Sequence, residues 1–542
     1  MDVIRQITAE IEATDGVRLL DVDPGKATNR TVVTFVGNPY AVVEAAVRAI
    51  RKAGELIDMR NHTGEHPRMG ATDVCPLIPV SGITMEETVE FAKMLGARVA
   101  AEAGISVYLY EYAATADYRR NLADIRAGEY EGLAAKIGKP EWKPDYGPAV
   151  MNEKSGATVI GARDFLIAYN VNLNTTSTRR ANSVAFDIRE KGRQKKGADG
   201  KNLKGPNGEA VWEPGLLKCV KAIGWFIEEY GIAQVSINLT NMYTTPLHVV
   251  FDTACERAAA RGMRVTGSEL VGLVPLNALL EAGKYFLRKQ QRSVGVSDAE
   301  LIKIAVKSMG LDELGPFDPE KKVIEYRLRN SNSKRLVDMT LTRFVEETAS
   351  ESPAPGGGSI AAASGAMGAA LGTLVANLSS HKKGWDHRWE EFSNAAEPGQ
   401  KLVKELLHLI DADTDAFNGI MAALGLPKGN DAEKAARAAA LQAATIEAIK
   451  IPFRTMEVSF DVFALAKTMA ATGNPNSVSD AGVAALCARA AVKGAYLNVK
   501  INAGTYAEQP EVKAILEKAA AMNTACDAEE LAVWQIVNDK IK

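Results

Sequence analysis

The sequence predicts a chain in two parts, an α/β part followed by an all-α part. Up to about Ser333, short runs rich in Val, Ile and Tyr alternate with amphipathic helical stretches, which is the pattern of α/β folds. From Met339 onward nearly every stretch has helical periodicity and alanine becomes frequent, which favours a domain made of helices alone. A connector rich in turn-forming residues, D-P-G-K-A-T-N-R, separates the first two predicted strands.

The α/β part is predicted to form two small α/β sandwiches. In the first, the elements are a helix over 1–14, strands over 17–22 and 31–36, a helix over 40–57, a strand near 74–80, a helix over 85–103 and a strand over 106–112. That order favours helices on one face of a mostly antiparallel or mixed sheet. The second sandwich has strands at 165, 221–227, 234–241 and 264–268, and helices near 181–191, over 246–260 and from Pro275.

Composition places the chain among globular proteins, with 46% hydrophobic and 24% charged residues. A net charge of −3 argues against a general nucleic-acid binder. The five cysteines lie far apart without C-x-x-C spacing, so we expect reduced thiols in a cytosolic protein. Residues 1–12 read as a charged amphipathic helix, so we expect no signal peptide.

One uncharged stretch, residues 359–378, is long enough to span a bilayer. It consists mostly of Ala, Gly and Ser, which drive membrane insertion weakly. We therefore expect a buried helix whose small side chains allow close packing, and no membrane span.

The stretch from Arg60 to Val80 concentrates acids, bases and cations in a loop that leads into a predicted strand. It holds His62 and His66, two of only six histidines in the chain, and Arg68 follows closely. Glycines and prolines interrupt it, so we expect an irregular loop on a rigid scaffold, where catalytic groups tend to lie.

Three interpretations of this loop are open. H-x-x-E-H over 62–66 fits a zinc site, but that pattern works only on a helix, and Pro67 disfavours helical backbone at His66. The loop could instead be a polar connector with solvated histidines. The interpretation we favour is acid–base catalysis by a histidine, with Arg68 holding an anionic substrate group through a forked contact.

A second candidate site lies in the all-α part. Helical spacing over 402–424 creates one stripe that is apolar except for Asp413, whereas Asp411 and Asp415 fall on another face and are expected to be solvated. Burial would raise the pKa of Asp413 and suit it to proton transfer, although a structural hydrogen bond could also account for it. The glycine-rich loop 353–359 enters a helix and would suit either an anion or a close helix crossing.

Several segments resemble known families. The loop G-E-H-P-R-M-G-A-T-D-V-C-P-L-I-P-V resembles that of glutamate formiminotransferases, and P-A-P-G-G-G-S (353–359) resembles the start of cyclodeaminases. Together, in this order, they resemble the bifunctional formiminotransferase–cyclodeaminase family. Further segments that resemble the first family are L-L-D-V-D-P-G-K-A-T-N-R-T-V-V-T-F-V-G (19–37), V-Y-L-Y-E (107–111), I-R-A-G-E-Y-E-G-L (125–133) and S-E-L-V-G-L-V-P (268–275).

The resemblance implies two ferredoxin-like subdomains (1–163 and 164–327), a linker (328–337) and an all-helical cyclodeaminase domain (338–542). It implies two consecutive steps of histidine degradation in the cytoplasm. The formimino group of N-formimino-L-glutamate would be transferred to tetrahydrofolate, and the product would be closed to 5,10-methenyltetrahydrofolate with loss of ammonia. Folate would be a polyglutamylated co-substrate, no metal would be needed, and the chain would form a dimer-based, ring-like homo-oligomer.

The resemblance also implies roles for individual residues. His66 would take the proton from the attacking nitrogen, and Asp23 and Arg68 would orient the reactants and bind a carboxylate. Asp413 would carry the proton transfers of the second step. Contacts with folate are implied for Gly147, Pro148, Gly156, Gly356, Gly357 and Gly358.

Three alternatives stay open at this point. The helical part also resembles methenyltetrahydrofolate cyclohydrolases. The resembled family opens with a strand like C-V-P-N-F-S-E-G, which is not present in this sequence, so either the true start lies upstream or the strand is lost. If it is lost, we expect an unpaired sheet edge. The transferase half could then be inactive and the protein a folate-binding assembly. The basic run 189–204 is either a solvated loop or a patch for a polyglutamate tail.

Overall fold

The computed structural model describes residues 2–25, 29–64, 67–197, 199–329 and 335–541. The chain forms two compact units. The first contains Met1–Glu281 and Val306–Arg329, and the second contains Ala282–Ala305 and Asn330–Lys542. None of the five cysteines, all of which are described, forms a disulfide.

The first half of the α/β unit contains the predicted elements within a few residues. An N-terminal capping box between Thr84 and Glu87 explains why one helix begins where predicted, at Met85. The elements are α1 (Asp2–Glu12), β1 (Val17–Gly25), β2 (Arg30–Gly37), α2 (Pro39–Leu56), β3 (Val74–Leu77), α3 (Met85–Ala103) and β4 (Ser106–Glu111), then α4 (Leu122–Arg126), α5 (Glu129–Ile137) and β5 (Ala157–Ala162).

The sheet of this half differs from the prediction. We expected one mostly antiparallel or mixed sheet, but β1 and β2 form a separate antiparallel pair, and the other sheet, ordered β3-β5-β4, is parallel throughout. The expectation was wrong because β5 was not predicted. This short strand follows a polar loop, and all of its residues are buried between β3 and β4, so it lacks the alternating pattern of a half-exposed strand.

The described strands of this half include two unpaired edges. Among the described strands, β2 pairs only with β1 and β3 pairs only with β5. Both edges line one cavity of about 1250 Å³, whose apolar walls include Ile50 of α2, Phe35 of β2 and Leu77 of β3. Because β2 and β3 do not pair across this cavity, the strands of this half form two separate sheets.

The second half of the unit forms a four-stranded sheet, antiparallel throughout, in the order β11-β6-β10-β9. Helices α6 and α7 pack against these strands. The helices and strands predicted for this half are thus present. They are β6 (Ile167–Leu173), α6 (Thr178–Ile188), β7 (Arg193–Gln194), β8 (Trp212–Glu213), β9 (Val220–Ile227), β10 (Ile232–Leu239), α7 (Leu247–Ala259) and β11 (Val265–Val271). The chain continues with α8 (Leu276–Lys289) and α9 (Asp298–Met309), which lie largely in the second unit, and then with α10 (Pro319–Lys322) and α11 (Ile324–Leu328) of the first unit.

The second unit is helical, as predicted. Helix α13 packs against α14, α15 and α16. It is long and apolar enough to cross a membrane, but 61% of its most apolar stretch is buried inside the protein. The expected buried core helix is thus confirmed. The helices are α12 (Leu341–Thr348), α13 (Gly357–Ser380), α14 (Trp389–Leu424), α15 (Asp431–Thr472), α16 (Val478–Ala503) and α17 (Pro510–Lys540).

Candidate active sites

The histidine loop begins with a single helical turn and then extends. A 3-10 turn covers Met59–Asn61, and His62 follows with φ −98° and ψ 126°, which is extended backbone. The helix that a zinc interpretation requires is therefore absent at His62. Glu65 and His66 lie outside the described residues. Within the described ranges, no group of three His, Cys, Asp or Glu side chains is arranged to hold a metal ion.

Two hydrogen bonds connect the histidine loop to the turn between β1 and β2. The Nε2 atom of His62 lies 3.0 Å from the carbonyl oxygen of Asn29, and Nδ2 of Asn29 donates to the carbonyl oxygen of Thr63 at 2.7 Å. These contacts bring the turn-rich connector and the histidine loop together, as a shared substrate site would require.

The Asp23 side chain is half-buried on β1, opposite Val32 of β2. The pKa of Asp21 on the same strand is raised, mainly by burial and secondly by the nearby negative charge of Asp23. The two acids therefore form a negatively charged position at the start of the connector.

Arg68 already holds two carboxylates from α5. Its Nη1 atom lies 3.0 Å from Oε2 of Glu129, and its Nη2 atom lies 2.6 Å from Oε1 of Glu131. The Arg68 side chain is only 12% exposed, and its hydrogen bond to Glu131 raises its pKa. In this structure the Arg68 guanidinium is thus occupied by the protein's own carboxylates, and its contact with a substrate group stays a prediction.

A buried ion pair, which sequence reasoning missed, holds the end of the histidine loop. Arg126 binds Asp73, with Nε 3.2 Å from Oδ1, and both side chains are 12% exposed. The backbone N–H of Met69 also donates to Oδ1 of Asp73 at 3.0 Å. No local spacing signals this pair, because its partners are far apart in the sequence.

The segment 147–156 contacts the histidine loop at only one of its ends. Gly156 has φ +68°, and a Cβ built there would lie 2.1 Å from the carbonyl oxygen of Met69, so only glycine fits. Gly147 and Pro148 lie instead at the start of β4, where the Pro148 carbonyl accepts a 2.6 Å hydrogen bond from Oγ of Ser106. The structure therefore brings Gly156, but not the other two, against the loop.

A polar network on the second sheet was also missed. Glu269 accepts hydrogen bonds on Oε1 from Nδ2 of Asn170 at 2.9 Å and from Nε2 of Gln234 at 3.0 Å. Gln234 also donates to Oδ1 of Asn172 at 2.8 Å. The signal was present in N-V-N over 170–172, because alternate asparagines on a strand give one face of the sheet a polar surface.

The second site forms where α13 begins against α14. The Oγ atom of Ser359 lies 3.1 Å from Oδ2 of Asp413 and 3.0 Å from the carbonyl oxygen of Ile410. A Cβ built at Gly358 would lie 2.1 Å from Oδ1 of Asp413. The carboxyl can therefore reach the N-terminus of the helix only because residue 358 has no side chain.

Burial raises the pKa of Asp413, while hydrogen bonds from the side chain and the backbone of Ser359 oppose that rise. A carboxyl with a raised pKa can hold and release a proton closer to neutral pH than an exposed one. Gly356 caps this helix, and a Cβ built at Gly357 would lie 3.3 Å from Nδ2 of Asn498 on α16. Of the three glycines, Gly358 therefore lies directly against Asp413, and the folate contacts expected for all three stay a prediction.

The neighbouring acids of α14 behave differently from the prediction in one respect. We expected Asp411 to be solvated, and this was wrong: it is 9% exposed and accepts a 2.7 Å hydrogen bond from the backbone N–H of Leu336. Asp415 is exposed, as expected. The apolar stripe is not buried beyond Asp413, since Phe417 and Leu424 are 43% and 42% exposed.

Comparisons with known proteins match both units. The family model described as the formiminotransferase domain, N-terminal subdomain, matches residues 1–163, and that of the formiminotransferase domain matches 168–329. The model described as formiminotransferase-cyclodeaminase matches 340–521.

Named relatives agree with these matches. The chain is 45% identical over 502 residues to formimidoyltransferase-cyclodeaminase of Gallus gallus, covering 92% of this chain and 90% of the relative. It is 40% identical over 286 residues to glutamate formimidoyltransferase of Streptococcus pyogenes serotype M1, covering 53% of this chain and 88% of the relative. It is 41% identical over 191 residues to methenyltetrahydrofolate cyclohydrolase of Methylorubrum extorquens, covering 34% of this chain and 92% of the relative.

An α/β unit with a charged loop, followed by a helical unit with a carboxyl at a glycine-rich helix start, defines a chain with two candidate active sites. The length and identity of the full-chain match identify its family. The chain belongs to the formimidoyltransferase-cyclodeaminase family.

Proposed function

We propose that the chain transfers the formimino group of N-formimino-L-glutamate to N5 of tetrahydrofolate and then cyclises the product to 5,10-methenyltetrahydrofolate, releasing ammonia. The observation that carries this proposal is the order of the matches, with two formiminotransferase segments followed by a cyclodeaminase segment along the chain. Tetrahydrofolate is then a substrate that passes through both reactions.

In the first reaction, N5 of tetrahydrofolate attacks the formimino carbon, and the bond from that carbon to the glutamate nitrogen breaks. His66 would remove the N5 proton, and the departing glutamate nitrogen must gain one. Asp23 would orient the reacting nitrogen, and Arg68 would bind a substrate carboxylate. For this role the substrate carboxylate would replace Glu129 or Glu131, which occupy the Arg68 guanidinium in this structure.

Folate would lie along residues 147–156. The contact of Gly156 with the histidine loop supports this position, while Gly147 and Pro148 would contact folate farther from the reacting atoms. The basic run 189–204 would attract a polyglutamate tail, since several lysines close together favour a multiply charged anion.

In the second reaction, N10 attacks the formimino carbon, a five-membered ring closes, and the terminal nitrogen leaves as ammonia. Asp413 would accept the N10 proton and deliver a proton to the leaving nitrogen. The raised pKa of Asp413 supports this cycling. The glycines 356–358 would contact folate through backbone N–H groups at the start of α13.

One relative favours a second candidate for the helical unit. Methenyltetrahydrofolate cyclohydrolase of Methylorubrum extorquens aligns over 92% of its own length. A carboxyl that moves protons could serve hydrolysis of a methenyl bridge as well as ring closure. Release of ammonia from 5-formiminotetrahydrofolate distinguishes the two, because hydrolysis of methenyltetrahydrofolate yields none.

The proposal also covers the domain organisation, the cellular location and the self-association of the chain. The β-α-β-β-α-β order of the second half supports ferredoxin-like subdomains at 1–163 and 164–327, a linker at 328–337 and a cyclodeaminase domain at 338–542. We place the protein in the cytoplasm, in histidine degradation, as a dimer-based ring. Exposed apolar side chains support self-association of the helical unit, namely Met367, Leu374 and Leu378 on α13 and Leu497 and Ile501 on α16.

The direct test mixes purified protein with formiminoglutamate and tetrahydrofolate. Methenyltetrahydrofolate is followed by absorbance and ammonia by a coupled assay. We expect both products to form in equal amounts. A protein that makes no product here but converts supplied 5-formiminotetrahydrofolate has lost the first activity alone. Inactivity with both substrates would overturn the proposed function.

A further inference from the structure

We propose that the Ser359 hydroxyl is a positioning group that stabilises Asp413 in both of its protonation states, and that it thereby supports proton cycling in the second reaction. This inference rests on the proposed cyclodeaminase function. It concerns a residue that does not react itself and acts only through Asp413.

The geometry places one hydroxyl between two acceptors. The Oγ atom of Ser359 lies 3.0 Å from the carbonyl oxygen of Ile410 and 3.1 Å from Oδ2 of Asp413. A hydroxyl has a single proton to donate and two lone pairs to accept with. Ser359 is 0% exposed, so water does not replace either bond.

The direction of these bonds depends on the charge of Asp413. When the carboxyl is ionised, the Ser359 hydroxyl donates to Oδ2, which stabilises the negative charge. When the carboxyl is protonated, it donates to Oγ of Ser359, and the hydroxyl turns to the Ile410 carbonyl. Neither state leaves a buried donor without an acceptor, an arrangement that would destabilise the folded protein.

The carboxyl itself does not have to move between these states. The backbone N–H of Ser359 also hydrogen-bonds Asp413, and the absence of a side chain at Gly358 lets Oδ1 lie against the helix start. Rotation of one hydroxyl therefore accommodates the change of charge, which limits reorganisation during proton transfer.

Groups around Asp413 add no competing charge. Burial raises the pKa of Asp413 and the two hydrogen bonds from Ser359 lower it, without a contribution from an ionised side chain of the described parts of α13, α15 or α16. On α14, Asp411 pairs with Arg335, and Asp415 is exposed. The polar neighbour on α16, Asn498, is uncharged. Ser359 is therefore the group whose removal should move this pKa most.

The test compares Ser359→Ala with Ser364→Ala in the full chain, using 5-formiminotetrahydrofolate as substrate. Ser364 is a matched control, because it lies on the same helix and its hydroxyl donates only to the Ile360 carbonyl at 2.9 Å. We expect Ser359→Ala to lower kcat for ammonia release by about tenfold or more, as for loss of a hydrogen bond to a charged group, with little change in KM.

The pH profile separates positioning from a merely structural role. Because the hydrogen bond from the Ser359 hydroxyl lowers the pKa of Asp413, its loss should shift the corresponding limb of kcat to higher pH in Ser359→Ala, which keeps the backbone N–H. Ser364→Ala should keep the wild-type profile. An unshifted limb in folded Ser359→Ala overturns the inference.

A second measurement keeps the inference testable if Ser359→Ala does not fold. The infrared difference between wild type and Asp413→Asn, recorded across pH, isolates the Asp413 carboxyl. A hydrogen-bonded carboxylic acid band at low pH is expected, and a free carboxyl band overturns the inference. If Asp413→Asn still releases ammonia at the wild-type rate, the proposed role of Asp413 fails instead.

Discussion

The carboxylate of Asp411 accepts a 2.7 Å hydrogen bond from the backbone N–H of Leu336, close to where the chain enters the helical unit. Arg335 adds an ion pair, with Nε 3.4 Å from Oδ2. Asp411 thus connects Arg335 and Leu336 to α14. Asp413, two residues later on the same helix, contacts the first turn of α13 instead. One helix therefore carries a structural acid, Asp411, and the acid proposed for proton transfer, Asp413, two residues apart.

These roles predict opposite effects of two substitutions on stability. Asp411→Ala leaves a buried N–H without an acceptor, so we expect the free energy of unfolding to fall by about 1–3 kcal/mol. Asp415→Ala is the control, and because this side chain is exposed, we expect a change within about 0.5 kcal/mol. Urea denaturation of the full chain measures both. Equal effects would contradict the structural role of Asp411.

Asp413→Asn should change how stability depends on pH. The pKa of Asp413 is raised in the folded protein, so its contribution to stability is present at low pH and is lost as pH rises through the folded pKa. Asparagine cannot ionise and avoids this loss. We expect the Tm of the variant, relative to wild type, to increase between about pH 4, near the ordinary pKa of an aspartate, and neutral pH. A difference that stays constant over this range would argue against a buried, titrating carboxyl.

Gly156→Ala should impair the transferase reaction and spare cyclodeamination. Its φ of +68° strains any other residue, and a Cβ would also displace the Met69 carbonyl of the histidine loop. Gly262→Ala is the matched control, with φ +71° and no atom within 4 Å of its added Cβ. We expect both to lose stability, but only Gly156→Ala to lose more than about tenfold in glutamate release. Similar losses in both variants would mean that backbone strain alone is responsible.

Arg68→Ala should raise the KM for formiminoglutamate. Loss of a forked, partly buried carboxylate contact costs about 1.5–3 kcal/mol, or roughly tenfold or more in KM. Arg60→Ala removes an exposed arginine on the same loop, which pairs with Asp58, and should leave KM unchanged. If Arg68→Ala lowers only the Tm, its pairs with Glu129 and Glu131 are purely structural.

The cavity between β2 and β3 predicts that this half of the α/β unit can accept one more strand. In the second half, the strand before the first helix, β6, lies between β11 and β10. The equivalent place in the first half is the cavity of about 1250 Å³. We expect a short alternating apolar strand fused before α1 to raise the Tm and the transferase rate. A fusion of the same length with polar residues at the inward positions should do neither.

Local signals were enough to predict most elements. Helix α3 begins at the capping box of Thr84 and Glu87, and α2 begins at Asn38 and Pro39. Such helix starts are predictable because a cap involves only residues that are close in the sequence. Strand β5 was missed because its neighbours in the sheet come from distant segments, and a short buried run has no period of its own. Because β5 pairs in parallel with both β3 and β4, this sheet is parallel rather than antiparallel or mixed.

The candidate sites were predictable to different degrees. Asp413 stood out because a single acid interrupts an apolar helical stripe, and Gly358 in the first turn of α13 lies against it. The partners of Arg68 could not be foreseen, since Glu129 and Glu131 belong to a helix far along the chain. Asp411 was misassigned because helical spacing identifies a face but not the segment that covers it.

The central claim is that one chain carries two separate reactions, and one measurement tests it most directly. Asp413→Ala is mixed with formiminoglutamate and excess tetrahydrofolate, and glutamate and ammonia are followed together. We predict that glutamate is released at the wild-type rate while 5-formiminotetrahydrofolate accumulates and ammonia does not appear. Ammonia release at the wild-type rate, or loss of glutamate release in a folded variant, would contradict the two-site account.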